Sequence, residues 1–164
     1  MIWIEKANLF LAVVLGAVLL ITGTAFAESK GPVEPSRDDK CPVCGMFVYK
    51  YPDWTAEIIF KDDSVEFFDG AKDMFKYYLN LARSRSGRNI KDIAAIYVKD
   101  YYDVKMIEAR KALFVSGSDV YGPMGHELIP LATEEDARNV VKDHKGKRIL
   151  RFEEVTSTVI EKLD

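Results

Sequence analysis

The sequence has few of the residues that mark a disulfide-stabilised or nucleic-acid-binding protein. Only 2 cysteines and 2 histidines occur among 164 residues, and the formal net charge is −3. A disulfide between Cys41 and Cys44 would close a very small loop, which restricts the unfolded chain little and makes a poor structural staple. A mildly acidic chain without a long basic run also lacks the electrostatic interface that nucleic acids require.

Motifs of several enzyme classes are missing as well. The sequence contains no Gly-x-Ser-x-Gly nucleophile elbow, no His-Glu-x-x-His zinc motif and no phosphate-binding loop. The acid pairs Asp62-Asp63 and Glu153-Glu154 are typical of solvated turns or faces. The sequence therefore predicts a protein that is not an enzyme.

The N-terminal segment has the pattern of a secretory signal peptide. A nearly uncharged apolar run extends from Ala7 to Phe26 and ends in Ala25-Phe26-Ala27, after which charged residues begin. Small residues at the two positions that a signal peptidase reads predict cleavage after Ala27, so residues 1–27 form the signal. An uncleaved membrane anchor is the alternative, because a run of about 20 apolar residues can span a bilayer. Either interpretation places the rest of the chain in the periplasm or otherwise outside the cytoplasm.

The remaining chain predicts an α+β fold made of two tandem ββαβ units that pack together. Residues 28–40 contain glycine, proline and serine with several charges, a composition typical of a flexible linker. The first unit spans residues 41–105 and the second spans residues 106–164. Sequence identity between the halves is weak, so the repeat is inferred from the order of the elements alone.

Hydrophobic periodicity and turn residues predict the elements of both units. The first unit has predicted strands at 54–60, 64–68 and 93–98, and a helix at about 70–82 with Asp69 as its N-cap. The second unit has predicted strands at 111–116, 126–131 and 148–152, a helix at about 133–145 with Thr133 as its N-cap, and a short C-terminal helix at 156–163.

The sharpest local signal is Cys41-Pro42-Val43-Cys44-Gly45-Met46. Two thiols three residues apart can face one point on a turn, and Gly45 permits the backbone to fold tightly after Cys44. Met46 adds a thioether within reach, and thiolate plus thioether ligands select soft ions such as Cu(I). The motif predicts a Cu(I) site formed by Cys41, Cys44 and Met46, in which Cys41, next to the linker, is the expected exchange ligand.

The Cys-x-x-Cys pair leaves two other functions open. Zinc would need two more hard or borderline ligands near Cys41 and Cys44. A thiol–disulfide oxidoreductase, the main alternative, usually places its first cysteine at a helix N-terminus, which lowers the thiol pKa. Here the motif follows the predicted linker, and Gly45 is unfavourable in the second turn of a helix.

A second candidate site lies in Tyr121-Gly122-Pro123-Met124-Gly125-His126-Glu127. Core packing for Met124 and a plain surface position for His126 are the alternatives to metal binding. The glycines favour metal binding, because a core methionine usually lies in a regular element rather than between Pro123 and Gly125. We therefore include Met124 and His126 as predicted metal ligands, in one site shared with Cys44 if the two units pack as a pseudo-symmetric pair, or in a separate site.

Three stretches resemble the NosL family, the accessory proteins of nitrous oxide reductase. They are Cys41 to Met46, Ser64-Val65-Glu66-Phe67-Phe68-Asp69-Gly70, and the segment from Val115 to Glu127. The resemblance implies a periplasmic Cu(I)-binding chaperone with a fold similar to that of the organomercurial lyase. It also implies two partners, a copper-receiving apo-enzyme, nitrous oxide reductase, and a membrane transporter complex. Many members are lipoproteins, but no cysteine lies near Ala27, so no lipid anchor is predicted.

Overall fold

A computed structural model describes residues 30–81 and 87–164 of the chain. The predicted signal segment, residues 1–27, lies outside the described residues. Within the two described ranges, no helix has the length and apolar character that a membrane span requires.

The first half of the chain forms an antiparallel sheet with one helix packed on it. Its strands are β1 (Ala56–Phe60), β2 (Val65–Phe68), β3 (Ile93–Lys99) and β4 (Met106–Glu108), in the order β2-β1-β3-β4. Helix α1 (Ala71–Leu81) follows β2. All residues of β1 are buried, because β1 is a central strand whose two faces are both covered.

The second half forms a smaller sheet with helices and a hairpin. Its strands are β5 (Leu113–Ser116), β8 (Ile129–Leu131) and β9 (Arg148–Arg151), in the order β8-β5-β9, and the hairpin consists of β6 (Tyr121–Gly122) and β7 (Gly125–His126). The helices of this half are α2 (Glu134–Asp143) and α3 (Ser157–Glu161). Short 3₁₀ helices occur in both halves of the chain, at Val48–Lys50 and Ile90–Asp92 in the first and at Phe152–Glu154 in the second. The predicted N-cap Thr133 is confirmed, since its side chain accepts the N–H of Asp136.

The α+β fold class is confirmed. In each half the first strand lies between the second strand and the strand that follows the helix. Two features depart from a plain ββαβ order: the β6–β7 hairpin is inserted before β8, and β4 hydrogen-bonds to β3 of the first sheet. The division of the chain into units at residue 105 stays a prediction.

Helix α1 joins the two halves through one hydrophobic core. Met74 and Phe75 are fully buried. The ring of Phe75 lies 5.0 Å from that of Phe114 on β5 and 4.9 Å from that of Phe152, measured between centroids. Aromatic pairs at such distances add to the stability gained from burial. Because α1 is held from both halves, its N-terminal end has a fixed position relative to each of them.

The segment predicted as a linker contacts the first sheet. The backbone N–H of Val33 donates to both carboxylate oxygens of Glu57, at 3.1 and 3.2 Å. The Tyr97 hydroxyl donates to the carbonyl of Lys30 at 2.7 Å, and the Lys30 ammonium pairs with Asp63. Residues 30–33 therefore have defined partners on β1, on β3 and in the β1–β2 turn.

Candidate metal centre

The segment Cys41–Met46 forms a closed turn. The Gly45 N–H donates to the carbonyl of Cys41 at 2.8 Å, and the Cys41 N–H donates to the carbonyl of Met46 at 2.9 Å. Gly45 has a φ of +79°, a left-handed conformation that glycine adopts at little cost. The turn holds Cys41 and Cys44 side by side, as the Cys-x-x-Cys spacing predicted.

Two carboxylates at the start of α1 face the two thiols. The Cys44 thiol donates to Asp69 Oδ1 at 3.2 Å, and the Cys41 thiol donates to Asp73 Oδ2 at 3.5 Å. Asp69 lies two residues before α1 and Asp73 lies in its first turn, so both carboxylates are at the N-terminal end of the helix. One candidate ligand atom from each of the four residues lies within 4.8 Å of all the others. We call Cys41, Cys44, Asp69 and Asp73 the thiol–carboxylate cluster.

Three of the four residues of the cluster are buried, and the fourth is half-buried. Cys41, Asp69 and Asp73 are 1%, 1% and 2% exposed, whereas Cys44 is half-buried. The sequence favoured Cys41 as the exchange ligand because of its neighbouring linker. Cys44 is the more accessible of the two thiols, and the exchange role of Cys41 stays a prediction.

Burial also sets the protonation of the thiols. It raises the pKa of Cys44 to about 11 and raises the pKa of Cys41 well above its usual range. Both groups are therefore thiols at neutral pH in the metal-free protein. Reactive cysteines of thiol–disulfide oxidoreductases have lowered pKa values, because the thiolate is the nucleophile. The cluster thus lacks the electrostatic environment that the oxidoreductase alternative requires.

Sequence reasoning missed both carboxylates of the cluster. Asp69 was predicted to cap α1, but its Oδ1 accepts the Cys44 thiol, and its buried Oδ2 has no hydrogen-bond partner among the described residues. A buried polar atom without a partner is uncommon, and an ion or water bound at the cluster would supply the partner that this oxygen lacks. The sequence shows two carboxylates four residues apart at the start of a predicted helix. Their proximity to Cys41 and Cys44 arises only from the fold.

The donor atoms fit a soft cation held by sulfur. Two thiolates at chelating distance suit Cu(I), whereas carboxylate oxygens suit harder ions. With Cys41 and Cys44, the oxygens of Asp69 and Asp73 would also complete a four-ligand set of the kind that zinc accepts. The geometry supports sulfur-based metal binding, and a metal competition experiment separates the two ions.

The other three predicted ligands lie on neighbouring segments. Met46 is half-buried at the end of the cysteine turn. The Met124 side chain is on the surface, 44% exposed, and its carbonyl accepts the Lys72 ammonium of α1 at 2.9 Å. His126 is exposed, with its ring 4.7 Å from that of Tyr121 across the β6–β7 hairpin. The hairpin therefore reaches the end of α1 that carries the cluster, and metal binding by Met46, Met124 and His126 stays a prediction.

These features define an α+β protein with a thiol–carboxylate cluster, a candidate metal centre, between a cysteine turn and the N-terminal end of a helix. The family model for NosL matches residues 32–160, and the chain belongs to the NosL family. The family resemblance of the sequence motifs is confirmed.

Two relatives illustrate what the chain is similar to. It is 30% identical over 160 residues to the copper-binding lipoprotein NosL of Stutzerimonas stutzeri, covering 88% of this chain and 80% of the relative. The crystal structure of the copper chaperone NosL from Shewanella denitrificans superposes with a TM-score of 0.66 at 26% identity, covering 79% of this chain and 98% of that one. These relatives are named as copper-binding and chaperone proteins, in agreement with the prediction that the chain is not an enzyme.

Proposed function

We propose that the protein is an extracytoplasmic copper chaperone that carries Cu(I) on Cys41 and Cys44. The observation that carries this proposal is that both thiols lie in one cluster at the N-terminal end of α1, with Cys44 partly accessible to solvent. Membership of the NosL family and the copper-binding names of the relatives support it.

Carriage requires tight but reversible binding. Two or three soft ligands with an open side retain Cu(I) and still permit transfer to a partner, whereas a closed cage of four ligands favours permanent retention. In this proposal Cys41 is the inner ligand and Cys44 the accessible one. Met46, Met124 and His126 supply the additional soft or borderline donors. Asp69 and Asp73 accept hydrogen bonds from the thiols in the metal-free protein, and metal binding displaces the thiol protons.

The proposed partners follow from the family. The copper acceptor is apo nitrous oxide reductase, and a membrane transporter complex takes part in delivery. The protein works in the periplasm after cleavage at Ala27, with the uncleaved N-terminal segment as membrane anchor in the alternative. The Stutzerimonas stutzeri relative is a lipoprotein, which supports an extracytoplasmic location at a membrane.

Anaerobic Cu(I) titration against a chromophoric competitor tests the ligand set. We expect Cys44→Ala to weaken binding the most, by more than the roughly 100-fold that loss of an outer-shell partner can cause. Met124→Ala and His126→Ala should weaken binding less and leave the far-ultraviolet circular dichroism unchanged, since both side chains lie at the surface. His144→Ala is the matched control, because His144 caps α2 and pairs with Asp119. Unchanged Cu(I) affinity in Cys44→Ala would refute the proposal.

A competition with Zn(II) separates the two metals. The reduced protein, loaded with equal amounts of Cu(I) and Zn(II) and then desalted, should retain copper. Asp69→Asn should preserve Cu(I) binding, because sulfur supplies the main donors. Retention of zinc in preference to copper, with loss of metal in Asp69→Asn, would instead establish a zinc site of two sulfurs and two oxygens.

A further inference from the structure

Two ionisable side chains are buried where the β6–β7 hairpin meets the first turn of α1. Lys72 on α1 and Glu127 after β7 are each 2% exposed. Charged groups are rarely buried to this degree, because removal from water is costly unless close partners compensate. Their position therefore calls for an explanation beyond packing.

Glu127 connects the hairpin to the beginning of α1. Its Oε1 accepts the backbone N–H of Lys72 at 2.5 Å and that of Leu128 at 2.8 Å. The first N–H groups of a helix have no partner within the helix, so a carboxylate from the other half of the chain takes the place of a local cap. This is the role that the sequence assigned to Asp69, and it leaves Asp69 available to the cluster.

Two glycines make room for the Glu127 side chain. A Cβ atom at Gly70 would lie 2.3 Å from Glu127 Oε2, and one at Gly122 would lie 3.0 Å from Glu127 Cγ. Gly70 belongs to the Phe68-Asp69-Gly70 motif and Gly122 to the Tyr121 to Glu127 motif. Neither glycine has a positive φ, so the requirement at both positions is close approach to Glu127.

The Lys72 ammonium group holds the loop from the other side. It donates to the carbonyl of Met124 at 2.9 Å and to that of Leu163 at 3.4 Å, and it pairs with Asp164 at 3.5 Å. The cation is thus bonded to the backbone of the residue whose thioether is a predicted copper ligand. Lys72 and Glu127 together fix both ends of the segment from Met124 to Glu127 on the first turn of α1.

We propose that Lys72 and Glu127 are positioning residues, which hold Met124 and His126 next to the cluster so that both side chains act on the copper ion bound by Cys44. This inference rests on the proposed function, because it takes Met124 and His126 as copper ligands. Neither Lys72 nor Glu127 contacts the ion itself in this proposal. Their contribution to affinity is made through the hairpin, whose own strands are only two residues long.

A double-mutant cycle tests whether Lys72 acts through Met124. Lys72→Met keeps the aliphatic length and removes the ammonium group, and Met124→Ala removes the thioether. We expect each single variant to weaken Cu(I) binding, Lys72→Met by about tenfold, the lower range for an outer-shell partner. In the double variant the two losses of Cu(I) binding free energy should not add, because Lys72 has no effect on binding once the Met124 thioether is absent. Additive losses would overturn the positioning role.

A second pair of variants tests the inference independently, in case Lys72→Met does not fold. Glu127→Met keeps the length of the side chain and removes the oxygens that accept the backbone N–H groups, and Glu57→Met is its matched control, since Glu57 is a fully buried glutamate that also accepts a backbone N–H, that of Val33. Urea unfolding gives the stability of each variant. Glu127→Met should weaken Cu(I) binding and Glu57→Met should not. Equal affinity in both would overturn the inference even if Lys72→Met fails to fold.

The same data separate this inference from the function on which it rests. If Met124→Ala and His126→Ala both retain full Cu(I) affinity while Cys44→Ala loses it, the hairpin supplies no ligand. The positioning role then fails and copper carriage by the thiols stands. If Cys44→Ala also retains full affinity, the proposed function fails as well.

Discussion

The chemistry of single residues distinguishes this cluster from a redox-active cysteine pair. Protonated thiols react slowly with disulfides and oxidants, because the thiolate is the reactive form. Burial raises the pKa of both Cys41 and Cys44, so we expect these thiols to be oxidised more slowly than an exposed cysteine pair. Hydrogen bonds to the neighbouring Asp69 and Asp73 add to the effect of burial, because they favour the protonated thiols.

Oxidation of the two cysteines should abolish copper binding. A disulfide between Cys41 and Cys44 removes both thiolates as ligands, and disulfides form in oxidising compartments. We expect diamide-treated protein to take up no Cu(I) in the competitor titration, and reduction followed by desalting to restore the original affinity. Far-ultraviolet circular dichroism of the oxidised protein serves as control, because an unchanged spectrum shows that the loss of Cu(I) binding does not come from unfolding. Equal copper uptake by the oxidised and reduced wild type would show that the cysteines are not ligands.

The sequence predicts the two thiols of the cluster but not its two carboxylates. Cys41 and Cys44 are rare residues at a diagnostic spacing, so the local sequence is enough to predict that they act together. Asp69 and Asp73 are ordinary residues at a helix start, where carboxylates are favourable for reasons unrelated to metal. Their role beside the thiols depends on contacts between residues more than 20 positions apart in the sequence, and only the fold brings these residues together.

Among the elements, the cysteine turn depends most on a single backbone conformation. A side chain at Gly45 would meet nothing within 4 Å, but the φ of +79° is strained for any other residue. Gly45→Ala should therefore destabilise the fold by about 1 kcal/mol and weaken Cu(I) binding, because the turn relaxes away from the geometry that pairs the thiols.

Gly31→Ala is the matched control for this substitution. Gly31 also has open space around its Cβ position and has no left-handed φ, so only the backbone requirement differs between the two sites. Urea unfolding followed by circular dichroism should show a lower free energy of unfolding in Gly45→Ala and little change in Gly31→Ala. Similar stability in the two variants would mean that the turn tolerates a side chain.

The elements that the sequence predicts well are those with a strong local pattern. Helix α1 and strands β1, β2 and β3 have continuous periodicity and lie within a few residues of the predicted bounds. Strand β4 and the β6–β7 hairpin were not predicted, since each strand has only two or three residues and exists through its pairing partner. Short strands of this kind carry too few residues for an alternation pattern to stand out.

At the scale of the whole molecule, the hydrophobic core makes the two halves interdependent. Helix α1 belongs to the first half but packs its aromatic face on β5 and on the residues after β9. The polar contacts of Lys72 and Glu127 repeat that connection at the end of the helix. The order of elements along the sequence predicts two units, whereas the shared core emerges only when side chains from both halves are placed around α1.

The stability of the whole fold should depend on pH through the buried glutamate of the first sheet. Glu57 lies on β1 between Phe67 of β2 and Tyr97 of β3, and residues 30–33 cover it. Burial raises the pKa of Glu57 from 4.5 to about 7, although the Val33 N–H bonds oppose the shift. The folded protein thus binds this proton more tightly than the unfolded chain does. Protonation therefore stabilises the fold, and this stabilisation is lost as the pH rises from the unfolded to the folded pKa.

We expect the wild type to lose about 2 kcal/mol of unfolding free energy from this group between about pH 5 and pH 7. Glu57→Gln replaces the carboxyl by a neutral group of the same shape, so the decline should become shallower. Some dependence on pH should remain, because burial also raises the pKa of Glu127, to about 8. Urea unfolding at several pH values measures the slope, with the exposed Glu153→Gln as control. A slope in Glu57→Gln as steep as in the wild type would mean that Glu57 stays charged in the folded protein, and residues 30–33 would then be held on the sheet by a buried carboxylate instead of a neutral acid.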